Sequence, residues 1–443
     1  MLKALKALLP SQSALAVPSV DRRLANVLVL LLANLLRAGL GLATSAIIFR
    51  AVGPQDMGRM TIVLSTIGLL SIVGEFGMRD AAVNYIARFL QDEPDKANSV
   101  GRTFLISKTF LSTVATGVAL SVAALVATRF YPQAQVESLI RLAAFSLLAD
   151  GLLGYSLVIL EAHQNFRVIS LLSAIQSLLR FGLILTLFLV AKVNLVSLLV
   201  LETVIPLVAF IYSLRYISPA YLVWRRPFLA FLGQLFHMSK WIAVAALASL
   251  LASRLDVLFL GYYQAPAMVG TYAAALALVN KIDLIKVPIL TTAFPDACRR
   301  TRPSDLCGYV RQNLKLTLSI SLALLPLLFA SGFIIRWLYG IEYVSAAPAC
   351  NLLLVAYLIG LNAEPAAFVL YPLNKPAWVA GKEFMPLVVF VALGSVLIPR
   401  FGLLGAAWSV LLRRLAEALL TSVLVWRYLY RPHTLDHAAA KHL

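Results

Sequence analysis

The sequence predicts an all-α, polytopic membrane protein with about twelve transmembrane helices. The first observation is composition: 61% of the 443 residues are hydrophobic, 13% are charged, and the mean hydropathy is +0.87. Soluble domains carry roughly 25% charged residues, so this chain has too few charges to cover a water-facing surface. The second observation is that apolar runs of about 20 residues, enough to cross a hydrocarbon core, recur along the whole chain.

The apolar runs divide evenly into two sets of six. The first set is 25–49, 58–78, 103–128, 138–161, 168–191 and 194–214. The second set is 240–262, 268–295, 314–337, 346–372, 377–399 and 402–426. The predicted organisation is an interfacial segment, a six-helix bundle, a linker, a second six-helix bundle and a tail: 1–24, 25–216, 217–239, 240–428 and 429–443.

An internal repeat supports this division. Pro54 and Gly58 follow the first span, and Pro266 and Gly270 follow the seventh; both pairs are offset by 212 residues. Because six is an even number, the two halves share one orientation and are related by an axis along the membrane normal. Parallel repeats of this kind are an architecture of alternating-access transporters.

Lysine and arginine residues are distributed unevenly between the two sets of loops. With the N-terminus inside, 25 of the 38 basic residues fall in inside segments and 6 in outside segments. Cytoplasmic loops of membrane proteins collect these residues. The distribution therefore predicts that both termini and the linker are cytoplasmic.

Several classes of function are not expected. The net charge of +18 is spread over short loops rather than gathered into a basic, aromatic-rich block, so nucleic acid is not an expected partner. The 3 cysteines and 5 histidines form no metal-binding or disulfide pattern, and no metal or cofactor is expected. No GxxxxGK[ST] motif occurs, and the loops are too short for a nucleotide-binding or external catalytic domain. We therefore do not expect an enzyme.

The first predicted span carries a polar face in the middle of the membrane. Asn34, Arg37, Gly41 and Thr44 recur at helical spacing and lie on one side of the helix. A charge at the bilayer centre is costly, and one that persists usually faces a cavity or a partner. Arg37 therefore either lines a cavity or is neutralised within the bundle.

The seventh predicted span carries the corresponding charges of the second half. Ser249, Ser253 and Asp256 share one face of the helix, and Arg254 points about 100° away from Ser253. Arg254 and Asp256 therefore do not simply pair, and one of them is expected to face the central space. We take Asn34, Arg37, Arg254 and Asp256 as candidate cavity residues. The fifth span repeats the polar pattern with Ser173, Gln176 and Arg180.

Other intramembrane charges suggest structural roles. Asp150 and Arg180 each lie 15 residues from the turn near residue 165, which places them at equal depth and predicts a salt bridge. Arg413 and Glu417 are four residues apart and are expected to pair along the last span. The Glu364-Pro365 dipeptide predicts a break near the middle of the tenth span.

Four segments resemble a known family in their usual order. They are RAVGPQDMGRMTIVLSTIGLLSIVGEFGMRDAAVNYIAR (50–88), SRLDVLFLGYYQAPAMVGTYAAALAL (253–278), WLYGIEYVSAAPACNLLLVAYLI (337–359) and FGLLGAAWSVLL (401–412). Each segment is similar to the Wzx-type bacterial polysaccharide flippases of the MATE-like MOP flippase superfamily. The resemblance covers most of the chain.

The resemblance implies two six-helix bundles arranged in a V in the bacterial inner membrane. It also implies that the protein moves undecaprenyl-pyrophosphate-linked oligosaccharide from the inner to the outer leaflet through a cationic cavity. Arg37 and the pair Arg254 and Asp256 are the positions that best match charges of this family. Implied partners are the lipid-linked oligosaccharide, membrane lipids, and a polysaccharide polymerase with its chain-length proteins.

Two alternatives stay open. A cation-coupled multidrug exporter of the same superfamily would need intramembrane carboxylates, whereas the first span offers Arg37 instead. A membrane enzyme of glycan assembly would need an external domain and a clustered acid and base, which the sequence lacks. The coupling ion, a proton or sodium, is left open.

Reporter fusions test the topology. Fusions after Leu90, Pro227 and Pro303 should report the cytoplasm, because the loops there are rich in basic residues. Fusions after Gln55, Tyr131 and Gln264 should report the outside. Alkaline phosphatase and green fluorescent protein give the two readouts. An inside report at Gln264 would contradict the division into two six-span halves.

Overall fold

The structure, a computed structural model, describes residues 20–75, 78–222, 247–248, 250–300, 302–371 and 376–430. All regular structure in these ranges is helical. The helices are α1 (Val20–Glu75), α2 (Met78–Phe89), α3 (Pro94–Arg129), α4 (Glu137–Ala143), α5 (Phe145–Ala162), α6 (Phe166–Leu189), α7 (Leu195–Ser213), α8 (250–263), α9 (Pro266–Val279), α10 (Asp283–Cys298), α11 (Pro303–Leu324), α12 (Leu327–Tyr339), α13 (Ala347–Ala367) and α14 (Pro376–Tyr430).

Two long helices each contain two predicted spans. In α1 the chain turns at Gly53, whose φ is +76°, and in α14 it turns at Gly402, whose φ is +55°. Both angles lie in the left-handed region that glycine adopts without strain. The predicted outside connections around residues 50–57 and 399–401 are therefore turns of almost no length.

The number of spans agrees with the sequence. Within the described ranges, seven helices are long and apolar enough to cross a membrane, and α11 with α12, bent by 53°, forms an eighth. Two of these eight contain two spans each. The predicted eighth span is divided between α9 and α10 by a 3-10 turn at Asn280–Ile282, and the seventh is represented by α8. The predicted all-α, polytopic fold is confirmed.

The tenth span differs from the prediction. Its helix α13 does not break at Glu364-Pro365 but continues to Ala367 and ends in a 3-10 turn at Phe368–Leu370. The hydroxyl of Tyr309 donates to the carbonyl of Pro365 at 3.0 Å. The helix therefore accommodates a proline, which provides no backbone donor for the carbonyl of Leu361. Glu364 consequently lies on a continuous helix.

The two repeat motifs contact each other reciprocally. A Cβ on Gly58 would lie 1.7 Å from the carbonyl oxygen of Pro266, and a Cβ on Gly270 would lie 1.8 Å from the carbonyl oxygen of Pro54. The same surface is thus used by α1 and α9, as at an interface with two-fold symmetry. This contact agrees with the predicted relation between the halves.

Aromatic residues close the same side of the molecule. The ring centroids of Phe49 and Tyr339 are 4.4 Å apart, and the hydroxyl of Tyr343 donates to the carbonyl of Phe49 at 3.2 Å. Arg50 Nε donates to the carbonyl of Leu338 at 3.0 Å. The halves are therefore in contact on the side that the sequence predicts to be the outside.

Parts of the predicted organisation lie outside the described residues. These are the interfacial segment up to residue 19, most of the linker and the tail beyond residue 430. The boundaries of the two bundles stay predictions.

Alanine at Gly58 or Gly270 should destabilise the protein. The added methyl group would overlap a backbone carbonyl, and overpacking of this kind costs about 1–3 kcal/mol. The measurement is the melting temperature of purified protein in detergent. Gly117→Ala is the matched control because a Cβ there meets nothing within 4 Å. A wild-type melting temperature for Gly58→Ala would contradict the reciprocal contact.

Candidate functional site

A polar pocket in the first half joins the polar faces of the first and fifth spans. It has a volume of about 220 Å³ and is lined by Arg37, Gly41, Thr44, Ser173, Gln176, Ser177 and Arg180. Arg37 is exposed and makes no ion pair with any described residue. The side chain of Asn34 lies outside the described residues. The two polar faces that helical spacing predicted thus face each other.

Arg180 pairs with a residue that the sequence prediction did not consider. Its Nη1 and Nη2 donate to the two carboxylate oxygens of Glu202 on α7 at 2.6 and 2.7 Å. Asp150 is exposed and forms no ion pair among the described residues. Equal depth placed Asp150 near Arg180, but Glu202 on the neighbouring helix provides the bidentate geometry that guanidinium groups favour.

A larger cavity lies mainly in the second half. Its volume is about 600 Å³, and Phe49, Met57 and Thr61 of α1 complete its wall. Four basic and three acidic side chains line it: Arg254, Lys286, Arg413, Arg414, Asp256, Glu364 and Glu417. The cavity therefore contains one more basic than acidic group.

The two candidate residues of the seventh span point in different directions. Asp256 is buried; its carboxylate accepts from the hydroxyl of Tyr272 and from the backbone N–H of Val257, both at 2.9 Å. Arg254 is exposed, and its Nε lies 3.6 Å from where a Cβ on Gly68 would be. The prediction that they do not pair agrees with the structure, which leaves Arg254 at the contact with the second span.

Glu364 connects three helices of the second half. Its Oε1 accepts from Lys286 Nζ on α10 at 2.7 Å and from Arg414 Nη1 on α14 at 3.1 Å. Both partners are mostly buried, so this carboxylate neutralises cations that would otherwise be costly in the membrane. The structural role of Glu364 is therefore to pair with two cations, and not to break the helix as the sequence predicted.

The predicted pairing along the last span involves a different arginine. Arg414 Nη1 lies 2.9 Å from Glu417 Oε2, with a spacing of three residues. Arg413 is buried, and its Nε has no hydrogen-bond partner among the described residues. Spacings of three and four residues both bring side chains together on a helix, and the contact with Glu364 favours Arg414.

Arg37 lines the smaller pocket and Arg254 lines the larger cavity, so the expectation that the candidate residues share one cavity is wrong. A third cation approaches the first span: Lys281 Nζ lies 3.9 Å from where a Cβ on Gly41 would be, one turn from Arg37.

Sequence analysis missed Lys281 because it was counted with a cytoplasmic loop, and missed Glu202 because it is one acid in an apolar run. The spacing of charges along a single helix could not predict that either residue lies near the candidate site residues.

The arrangement separates neutralised from unpaired charges. Glu202 and Glu364 are each bound by cations, whereas Arg37, Lys281 and Arg254 form no ion pair with a described residue. In the described part of the chain, no three His, Cys, Asp or Glu side chains are grouped so as to hold a metal ion. The larger cavity thus has one more basic than acidic side chain, and the smaller pocket contains Arg37 as a cation outside any ion pair among the described residues.

Comparison with known sequences identifies the family. A model of the polysaccharide biosynthesis protein family matches residues 23–297, more than half of the 443 residues. The chain belongs to this family.

Two relatives cover most of the chain. A protein named "Putative O-antigen transporter" from Shigella flexneri is 24% identical over 396 residues, covering 86% of this chain and 91% of the relative. A protein named "Probable low-salt glycan biosynthesis flippase Agl15" from Haloferax volcanii is 22% identical over 406 residues, covering 85% of this chain and 78% of the relative.

Solved structures show the fold of this family member. The lipid II flippase MurJ in an inward closed conformation superposes with a TM-score of 0.72 at 16% identity, covering 90% of this chain and 87% of that chain. An inward-facing multidrug resistance MATE family transporter gives 0.70 at 11% identity, covering 89% and 94%. The predicted fold of the MATE-like MOP superfamily is confirmed.

Glu202→Gln should destabilise the protein by on the order of 2 kcal/mol. Loss of one partner costs about 3–5 kcal/mol for a buried pair and under about 1 kcal/mol for an exposed pair, and this pair is partly exposed. Thermal unfolding in detergent measures the change. Asp150→Asn is the matched control, and equal destabilisation by both variants would contradict the assignment. Exchange of Arg180 and Glu202 should restore part of the loss.

Proposed function

We propose that this protein flips undecaprenyl-pyrophosphate-linked oligosaccharide from the inner to the outer leaflet for the assembly of exported polysaccharide. It does so by alternating access, without catalysing a covalent step. The proposal is supported by the family, by the transporter fold and by what the two relatives are named for.

One observation carries the proposal. Arg37, Lys281 and Arg254 remain without a paired carboxylate among the described residues, although the same membrane region contains Glu202 and Glu364. Those carboxylates are already bound by other cations. Unpaired cations facing polar space within a membrane are suited to a ligand that brings its own negative charge.

The physical problem of flipping explains why such cations are useful. A pyrophosphate and a chain of sugars lose their hydration when they cross hydrocarbon, and an uncompensated charge makes this transfer very costly. Arginine can contact two phosphate oxygens at once through its planar fork of donors. A polar pathway with fixed cations at mid-depth therefore lowers the barrier for the head group.

Localisation and partners follow from the proposed function. The protein crosses the membrane many times; we propose the bacterial inner membrane with both termini in the cytoplasm. Its substrate and the surrounding lipids are the direct partners, and a polymerase with its chain-length proteins would receive the product. The coupling ion, a proton or sodium, stays a prediction.

Export of cationic drugs is the second candidate function. The observation in its favour is that Asp150 is exposed and has no cation partner among the described residues. Against it, Glu202 and Glu364 are already neutralised. Accelerated efflux of ethidium from vesicles, with no movement of lipid-linked sugar, would favour this second function.

Arg37→Ala should slow flipping about ten- to hundred-fold while the amount of folded protein stays normal. Hydrogen bonds to charged groups contribute about 1.5–3 kcal/mol, and about 1.4 kcal/mol corresponds to tenfold. Arg37→Lys should retain part of the rate, because the charge remains while the forked geometry is lost.

The assay uses protein reconstituted in vesicles with undecaprenyl-pyrophosphate-linked oligosaccharide that carries a fluorophore on its sugar. A membrane-impermeant quencher reports the fraction in the outer leaflet. Arg88→Ala is the matched control, since Arg88 is exposed on α2, away from both pockets. Normal flipping by abundant Arg37→Ala protein would reject the binding role. A fall in folded protein in step with activity would show a structural role.

A further inference from the structure

An apolar groove lies between the two halves. Its volume is about 460 Å³, and its walls come from the second and third spans of the first half and from α8 of the second half. The residues that line it are Thr66, Leu69, Leu70, Val122, Val126, Phe130, Tyr131, Leu255, Leu258, Phe259, Tyr262 and Tyr263. The single threonine and the tyrosine hydroxyls are its polar side-chain groups.

Aromatic residues hold the two walls together near the predicted outside. The ring centroids of Phe130 and Tyr262 are 6.2 Å apart, and Tyr131 OH donates to the carbonyl of Leu258 at 3.5 Å. Each of these contacts joins the end of α3 to α8. The groove is therefore a feature of the contact between halves and not of the outer face of one bundle.

The inner end of the groove meets the polar cavity at Arg254. This residue lines the 600 Å³ cavity, while the next residue, Leu255, lines the groove. The guanidinium lies against Gly68, between the groove residues Thr66 and Leu69. A polar cavity, an unpaired cation and an apolar groove thus follow one another in space.

We propose that this groove holds the polyprenyl chain of the transported lipid while its pyrophosphate contacts Arg254. The inference rests on the proposed function and identifies where the chain leaves the polar pathway. A polar cavity, a cation and an apolar groove match, in the same order, the three parts of a lipid-linked oligosaccharide: the sugars, the pyrophosphate and the hydrocarbon. The chain can then stay in an apolar environment while the head group crosses the membrane.

The depth of Arg254 argues against an ordinary phospholipid. Arg254 lies nine residues from Tyr263 along α8, or about 13 Å at 1.5 Å per residue. The phosphate of a bulk lipid remains at the membrane surface, far from this position. A phosphate that contacts Arg254 while its chain lies in the groove therefore belongs to a lipid whose head group is inside the protein.

Photolabelling of the full-length protein in nanodiscs tests this inference. The probe is undecaprenyl pyrophosphate with a diazirine on its chain, and labelled peptides are identified by mass spectrometry. We expect labelling of peptides that contain Val122–Tyr131 and Leu255–Tyr263. Val126→Trp fills the groove and should lower this labelling at least fivefold. Leu125→Trp is the matched control, because Leu125 is 58% exposed and does not line the groove.

A competition experiment distinguishes failure of the proposed function from failure of the groove inference. Farnesyl pyrophosphate, which has the head group but a short chain, should compete with the probe in wild-type protein and should bind Val126→Trp normally. If neither pyrophosphate binds, the proposed function fails. If both bind but the groove peptides remain unlabelled, only the groove inference fails.

Two controls distinguish the transported lipid from bulk lipid and a filled groove from a misfolded protein. Diazirine-labelled phosphatidylglycerol that occupies the groove as well as the probe, and is not displaced by undecaprenyl pyrophosphate, would overturn the inference in favour of bulk lipid. Leu69→Trp, on the opposite wall, should reproduce the effect of Val126→Trp if the latter fails to fold. Unchanged labelling in a folded variant of either residue would also overturn the inference.

Discussion

The backbone contact between α1 and α9 is the constraint on which the arrangement of the halves depends. Gly58 and Gly270 bring each helix against a carbonyl of the other, at a distance that no side chain would permit. Because the contact is reciprocal, it aligns the two halves about one axis. The polar cavity and the apolar groove both lie along the line where the halves meet, so their geometry follows from this crossing.

Ion pairs in the low-dielectric environment of the membrane connect the helices within each half. Arg180 with Glu202, and Lys286 and Arg414 with Glu364, are satisfied within one half. Groups that are satisfied in this way connect helices and leave little affinity for a ligand. The cations that remain are differently placed: Arg37 lines a pocket of the first half, Lys281 of the second half approaches Gly41, and Arg254 of the second half lies against Gly68.

Much of the fold could be predicted from the sequence, because hydrophobic length and helical spacing are local properties. They gave the spans, the polar face around Arg37 and the reciprocal motifs. They could not identify which helix lies beside which, so Arg180 was assigned to Asp150 instead of Glu202. The choice between Arg413 and Arg414 likewise depended on Glu364, about 50 residues away. The packing of helices determines which side chains on different helices form ion pairs. The spacing of residues along one helix contains no information about that packing.

The tight turns at Gly53 and Gly402 have a consequence for how the product would be handed on. They leave almost no polypeptide projecting at these two of the predicted outside connections, so a soluble protein would find little to contact there. A downstream enzyme that meets this part of the molecule would approach through the plane of the bilayer and dock on lipid-facing helix flanks. Such an encounter is a two-dimensional search, governed by the crowding and composition of the membrane rather than by the concentration of protein in the surrounding water.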